Sequence, residues 1–448
     1  MAGGTFDKLV GKTRPGTYIN FVSTRHDTVG ISDRGIVIVP LTNHNYGPVG
    51  EYITLDCSGP DAQITKLGYS IYDDDKNRQM LLIREAFKKA SKVLVYRVNS
   101  GTEAKVTTET TAAITATAKY PGTRGNELSF TVAENPVDGF DVQVNLGGSK
   151  VAEYEGLKTI EELIAQDCPY ITFTGTGDLE AVAGANLTGG TDKTAQNDEI
   201  TGFLDSIEGV KFNTLCFPVT DGDLQAAAKT KIQYMRESIG KGVQVVMPNT
   251  KSGDYEGVIN VTNSVALDDN KLTAAEACAW VAAATAGAKN TTSNTYVVYD
   301  GATEVVDPKS HEEAVAAINK GEFFFSVSEA GTVVVEYDIN TLITFAGGKD
   351  KTYRKNRVVR VFDTFAEALQ LNFPPNKYDN NSVGWDIMEG IGRTILKQFE
   401  DAGAITAVDY DNDFLVDRDA SHGDETYFNV GLQPVDSAEK LYFTIATR

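Results

Sequence analysis

Two blocks of alternating helical and apolar β segments stand on either side of a Thr-rich stretch spanning residues 100–190, and that interruption limits the possible folds most. Ahead of it, Ile36-Val37-Ile38-Val39 is a continuous apolar run of the kind that fills a sheet covered on both faces. Between Asn77 and Ala90, the residues Met80, Ile83, Ala86, Phe87 and Ala90 recur at helical spacing, and Val93-Leu94-Val95-Tyr96 follows as a second buried strand. Beyond the stretch, a helix over 197–208 leads to Thr214-Leu215-Cys216-Phe217, and one over 223–239 leads to Val243-Gln244-Val245-Val246. An Ala-rich helix over 272–288 and a helix over 310–320 leading into Phe323-Phe324-Phe325 continue the pattern. Such alternation predicts an α/β sheet. The intervening Ala113–Thr117, Leu128–Val132 and Phe140–Val144 instead alternate with period two between Gly, Asn and Pro turns, as in a small antiparallel β domain.

The economical fold is therefore mixed α/β and α+β. A discontinuous α/β core (29–100 and 190–345) carries an inserted antiparallel β domain (101–189), and an α+β C-terminal domain follows (346–434). That last domain holds amphipathic helices over 357–371 and 383–402, separated by Phe373-Pro374-Pro375-Asn376. Residues 1–28 form a Gly-rich arm containing the β-prone run Thr17–Val22, and 435–448 form a terminal strand arm, Leu441-Tyr442-Phe443-Thr444-Ile445-Ala446.

A net charge of −21 over 448 residues opposes binding to nucleic acid or an anionic membrane surface, both of which need a basic footprint. No apolar run approaches the roughly 20 residues of a membrane span, and the first residues lack the basic and apolar regions of a secretory signal, so cytoplasmic synthesis is expected. Cys57, Cys168, Cys216 and Cys278 are too far apart to resemble a disulfide framework or zinc site and read as reduced thiols. His26, His44, His311 and His422 are scattered, and no nucleophile elbow, dinucleotide fingerprint or Walker loop is present. Asp409-Tyr410-Asp411-Asn412-Asp413 begins like a calcium loop but has Phe414 where Gly is needed and Ala420 where the bidentate Glu belongs. No catalytic residue, metal site or cofactor is expected.

Two features remain. Lys349, Lys351, Arg354, Lys355, Arg357 and Arg360 crowd the start of a helix, where the macrodipole disfavours cations, so an acidic partner surface is one explanation and a solvated helix start the other. The runs Thr17–Val22 and Leu441–Ala446 near the two chain ends are β-prone and uncharged, without the Lys, Pro or bulges that protect natural edges. The last segment is either an internal strand or one that adds to a neighbour's sheet, and two such ends point to head-to-tail, non-closing assembly.

Arg14-Pro15-Gly16-Thr17-Tyr18-Ile19-Asn20-Phe21 resembles the opening signature of contractile tail sheath proteins, found in myophages, phage-like elements of Gram-positive bacteria and R-type bacteriocins. Tyr120-Pro121-Gly122-Thr123-Arg124-Gly125-Asn126-Glu127-Leu128 is similar to the turn that opens that family's inserted domain, and Leu187-Thr188-Gly189-Gly190-Thr191-Asp192 to the motif that closes it. Gln433-Pro434-Val435-Asp436-Ser437-Ala438-Glu439-Lys440-Leu441-Tyr442 resembles the ending of the Gram-positive branch.

The resemblance implies a structural subunit that polymerises with copies of itself as stacked hexameric rings around an inner tail tube protein. Baseplate and tail terminator proteins would be further partners. The sleeve, assembled in the host cytoplasm and released within a phage tail or bacteriocin particle, would contract to drive the tube through an envelope, with neither cofactor nor nucleic acid. It also implies that Thr17, Tyr18, Ile19, Phe21, Leu441, Phe443 and Ile445 are exchanged as strands between subunits. The tube would face Lys351, Arg354, Lys355 and Arg357, or the helix with Arg393 and Lys397. A non-catalytic surface adhesin and an α/β enzyme with a β insertion are the alternatives the fold texture allows.

Overall fold

The computed structural model of the chain describes residues 2–4, 16–18, 34–268 and 270–447. Its central sheet has seven strands in the spatial order Glu322–Phe323, Val258–Val261, Gln244–Pro248, Thr214–Cys216, Ile36–Leu41, Lys92–Arg97 and Tyr52–Asp56. All neighbours run parallel except Tyr52–Asp56, an antiparallel edge. Thr214 pairs with Val37 and Leu215 with Ile38, so segments from both sides of the Thr-rich stretch share one ladder. The interruption is an insertion into a sheet.

Alternation along Ile36–Leu41 assigns the two faces. Val37, Val39 and Leu41 pack with the helices Gln79–Phe87 and Ala274–Gly287. Ile38 packs on the other side with the helices Asn197–Ser206 and Gly222–Tyr234. The Ala-rich helix is buried all round, which is why it shows no polar stripe. Its Thr273 and Glu276 form a reciprocal capping box, and Trp280 within it stacks on Tyr299 at 4.5 Å.

The insertion is a β-sandwich. One sheet has the order Ser149–Leu157, Phe140–Leu146, Leu128–Glu134, Val182–Asn186, and the other Ile171–Thr174, Thr115–Ala118, Lys105–Thr107. Phe130, Val132, Val142 and Val144 meet Ala116, Ile171 and Phe173 between them. A short helix, Ile160–Ala165, was not anticipated within the insertion; six residues are too few to show a helical period.

Where the insertion leaves the core, close backbone contacts replace a flexible linker. Gly101–Thr102 pairs with Thr191–Asp192, and Asn126 exchanges both amide hydrogen bonds with Gly190 at 2.9 and 2.8 Å. The buried Arg97 donates to the carbonyls of Gly47 at 2.9 Å and Pro121 at 2.6 Å. Gly122 has φ +131°, and a Cβ there would lie 2.0 Å from the Asn45 carbonyl oxygen. Gly122→Ala is therefore expected to cost at least about 2 kcal/mol in overlap and backbone strain, read as a lowered denaturant midpoint. His44 belongs to this neck. Nε2–H donates to the Leu67 carbonyl and Nδ1 accepts from Asn77, both at 2.9 Å, and burial with the nearby Arg97 charge pushes its pKa down to about 3. It is a neutral structural histidine.

The C-terminal domain consists of the helices Asn356–Asn372 and Ser382–Asp401 and the hairpin Phe414–His422/Glu425–Val430. Val361, Phe365, Ile395, Phe399 and Phe414 form its core. Asn381 caps the second helix by accepting from the amides of Val383 and Gly384. Arg236 joins this domain to the core through a bidentate pair with Asp363, at 2.8 and 2.9 Å.

The segment 441–446, read as either an internal strand or one added to a neighbour, forms no strand with its own chain: among the described residues it pairs with nothing. At the other end only Gly16–Tyr18, carrying Thr17 and Tyr18, forms strand, pairing in parallel with Ala2–Gly4; Ile19, Phe21 and His26 lie outside the described residues.

Candidate functional site

The site that the structure builds is a cradle for the C-terminal segment. After the hairpin, the chain docks against Ala404–Thr406: Thr406 donates to Gln433 O and Val435 to Ala404 O, each at 2.9 Å. It then crosses the N-terminus of the helix Asn356–Asn372 and reaches a loop of the core domain. There Ser293 and Thr295 hydroxyls donate to Glu439 Oε1 at 2.8 and 2.7 Å, and Lys355 Nζ pairs with Oε2. Lys355 also lies 3.6 Å from Asp436 and 4.5 Å above the Tyr337 ring, while Arg357 donates to the Ser437 hydroxyl at 2.6 Å.

This explains the cations at a helix start. Two carboxylates of the tail sit where the dipole and the basic side chains both favour anions. Burial works against ionisation of Glu439, but its bonds from Lys355, Thr295 and Ser293 outweigh it and hold the carboxyl below its ordinary 4.5. Burial likewise opposes the charge on Lys355, and Glu439 with Tyr337 keeps its pKa above 10.5. By linkage, the Glu439 contribution is present above its ordinary value and lost as pH falls through the lowered one. The Lys355 contribution is present below 10.5 and lost as pH rises through the raised one. A spin label at Ala438 should therefore be immobile near neutral pH and gain mobility in acid below 4.5. Glu439→Lys should be mobile throughout.

Past Glu439 the character of the segment inverts. Leu441 is 66% exposed, Tyr442 90%, Phe443 83% and Ile445 87%, with no charge from Leu441 to Thr447. A polar half bound to its own chain thus displays an apolar, β-prone half that the described residues do not cover.

The basic residues named from the sequence do not form one surface. Lys349 pairs with Glu256 at 2.5 Å, and Arg360 is buried, donating to the carbonyls of Lys289 and Thr292 at 3.1 and 2.8 Å beside Asp338. Lys355 and Arg357 belong to the cradle, and Arg354 is half-buried. Lys351 and Lys397 are exposed; Arg393 is half-exposed, 3.6 Å from Glu389, and Lys397 is 3.3 Å from Asp401. Ser293, Thr295 and Tyr337 escaped the sequence reading, since nothing in a Ser-x-Thr loop marks a receptor for a segment 144 residues away. Among the described residues, no group of His, Cys, Asp and Glu could hold a metal, and no helix is long and apolar enough to cross a membrane.

Comparison with known proteins accounts for nearly the whole described chain. Residues 34–98 match the tail sheath protein Gp18 domain III N-terminal region, 99–192 the phage tail sheath protein beta-sandwich domain, 193–341 its central domain and 348–448 its C-terminal domain. The phage-like element PBSX protein XkdK of Bacillus subtilis is 36% identical over 99% of both chains. The sheath tail protein of Desulfitobacterium hafniense superposes with a TM-score of 0.81 at 37% identity, covering 96% of this chain and 99% of that one. The contracted helical sheath subunit of the anti-feeding prophage shares the fold, with a TM-score of 0.53 at 13% identity over 98% and 100% of the two chains.

Proposed function

This chain belongs to the phage tail sheath family, and on that premise we propose that it polymerises through its exposed C-terminal half-strand into the sleeve of a phage or phage-like tail. It is a structural, non-catalytic subunit of a contractile tail. The observation that carries the assembly reading is the two-part tail: a docked Glu439 fixes where the segment leaves the subunit, and the uncharged residues 441–447 leave uncovered. A two-stranded hairpin is marginal alone and gains from added strands, so Leu441, Phe443 and Ile445 of one copy, and the Thr17–Phe21 arm of another, join the Phe414–His422/Glu425–Val430 hairpin of a third. Covalently attached arms let subunits reorient as rigid bodies while remaining connected. Stacked rings would enclose an inner tube and end on baseplate and terminator proteins, the particle being assembled in the bacterial cytoplasm and released.

Tube contact falls to the exposed members of the basic set, Lys351 and Lys397 with Arg393, because Lys355 and Arg357 are already engaged with the tail. Lys351→Glu with Lys397→Glu is expected to weaken co-assembly with the tube protein roughly tenfold at low ionic strength, with the difference shrinking as salt is added. Unchanged co-assembly at low salt would remove these residues from the contact.

Electron microscopy of the purified chain at high concentration tests the main reading. Hollow ribbed cylinders are expected; a monomer at every concentration, even with tube and baseplate proteins present, would overturn it.

A further inference from the structure

Between Val435 and Glu439 the chain crosses from one domain to another. Val435 is tied to Ala404 of the C-terminal domain, Ser437 to Arg357 in the first turn of the helix Asn356–Asn372, and Glu439 to Ser293 and Thr295 of the core. None of the hydrophobic core clusters includes a residue from 433–440, so polar bonds hold this crossing. A cleft of about 450 Å³, lined by Thr292, Tyr296, Ser437 and Ala438 among others, lies between it and the core loop. Lifting the segment would therefore expose no buried apolar face.

The Glu439 contact does not end at that loop. Thr295 Oγ1, which donates to Glu439 at 2.7 Å, accepts the Asp338 backbone N–H at 3.0 Å. Asp338 is 1% exposed and its carboxylate is fully shared out: Oδ2 accepts the Asn294 N–H and Oδ1 the Asn356 side-chain amide, both at 2.8 Å. The Asp338 carbonyl also takes the Asn356 N–H at 3.2 Å. Asn356 opens the helix that carries Arg360 and Asp363, and its side-chain oxygen accepts from Gln244 of the central sheet at 3.3 Å. Asp338, Asn356 and Gln244 are all buried. A polar chain thus runs from the tail, through one threonine hydroxyl, to the place where a helix of the C-terminal domain meets the sheet of the core. Buried networks of this kind are strong when every member is satisfied and costly when one is lost. The loop at its head is strained: Tyr296, next to Thr295, has φ +62°, a left-handed conformation that persists only where the surroundings impose it.

We infer that residues 435–439 are a strap that braces the joint between the core and the C-terminal domain. Docked, Glu439 fixes the loop 293–296, the loop fixes Asp338, and Asp338 fixes the first turn of the helix Asn356–Asn372. With Glu439 out, that turn loosens from the sheet. Coupling of this kind is reciprocal, so a loosened joint weakens the hold on Glu439. In a sleeve, a pull on the exposed half 441–447 then reaches the joint of its own subunit. This last consequence rests on the assembly reading, whereas the brace belongs to the single subunit.

Hydrogen exchange on the unassembled full-length protein and its variants tests the brace. The Asn356 N–H, bonded to Asp338 and not to the tail, should exchange at least about tenfold faster in Glu439→Ala and in a chain ending at Val435. Thr295→Val, which keeps the Glu439–Lys355 pair but removes the hydroxyl, should do the same, and Thr295→Ser should keep exchange slow. Amides of the sandwich strand Phe140–Leu146 should not change in any of them, which separates a loosened joint from general unfolding. Unchanged exchange at Asn356 in Glu439→Ala and in the shortened chain would overturn the brace. So would acceleration in those two without any in Thr295→Val, since the path would then bypass Asp338. Reciprocity gives a second check. Arg236→Lys loses the two-pronged grip on Asp363 at the far side of the joint, and a spin label at Ala438 should then gain mobility. A label as immobile as in the parent chain would overturn the coupling. Because these chains are unassembled, tubes that fail to form would count against the assembly reading and not against the brace.

Discussion

A chain ending at Val435 is expected to fold and to form no tubes. Removing 436–448 deletes the Glu439 and Ser437 contacts, charge-assisted hydrogen bonds worth about 1.5–3 kcal/mol each, and leaves the apolar core of the C-terminal domain and its hairpin untouched. None of the hydrophobic core clusters includes a residue from 436–448, so the truncated chain keeps the packing that holds its domains. Assembly loses its connecting strand entirely, so the effect on polymerisation should be all-or-none. A subtler variant separates docking from donation: Leu441→Asp, Phe443→Asp and Ile445→Asp keep the cradle but place charge along the exposed half. Both should sediment as monomers with native circular dichroism. Ribbed tubes from either variant would refute strand donation by the C-terminal end.

The second large effect concerns the joint between core and C-terminal domain. Arg236 follows the helix Gly222–Tyr234 and grips Asp363 of the helix Asn356–Asn372, and only 12% and 8% of the two side chains is exposed. Arg236 Nη1 also donates to Val243 O at 3.0 Å, and Gly242 presses so closely on Asp363 that a Cβ would stand 2.5 Å from its Cβ. Burial opposes the charge on Arg236, but Asp363 raises its pKa despite that. Arg236→Ala would leave Asp363 charged and without its main partner in a desolvated seam, at an expected cost of about 3–5 kcal/mol. The domains should uncouple, so that one denaturant transition becomes two, the C-terminal domain melting first. Because the penalty comes from a stranded charge, Arg236→Met combined with Asp363→Leu should recover most of it. A single unshifted transition in Arg236→Ala would show that the pair is not what holds the joint.

Much of the architecture was legible in the residues. Periodicity separated helix from strand in the core, and the change of period at residue 100 marked the insertion, because side-chain spacing reports directly on which faces are buried. The helix Ile160–Ala165 was hidden because six residues complete fewer than two turns. The basic cluster was visible as an anomaly but not as a receptor. The charges of Lys355 and Arg357 make sense only once Asp436, Ser437 and Glu439 arrive from eighty residues away.

By itself, then, the sequence determined the order of elements, the discontinuity of the core, the absence of charge in the β-prone run near each chain end and, through four short motifs, the family. Those properties are local: they depend on residue type and spacing along the chain. Tertiary structure decided which basic side chains are already neutralised and where the tail leaves the subunit. Each of these depends on pairing between residues far apart in the chain. A charge or a backbone N–H has no assigned partner until folding brings one within hydrogen-bond distance and excludes the water that would otherwise satisfy it.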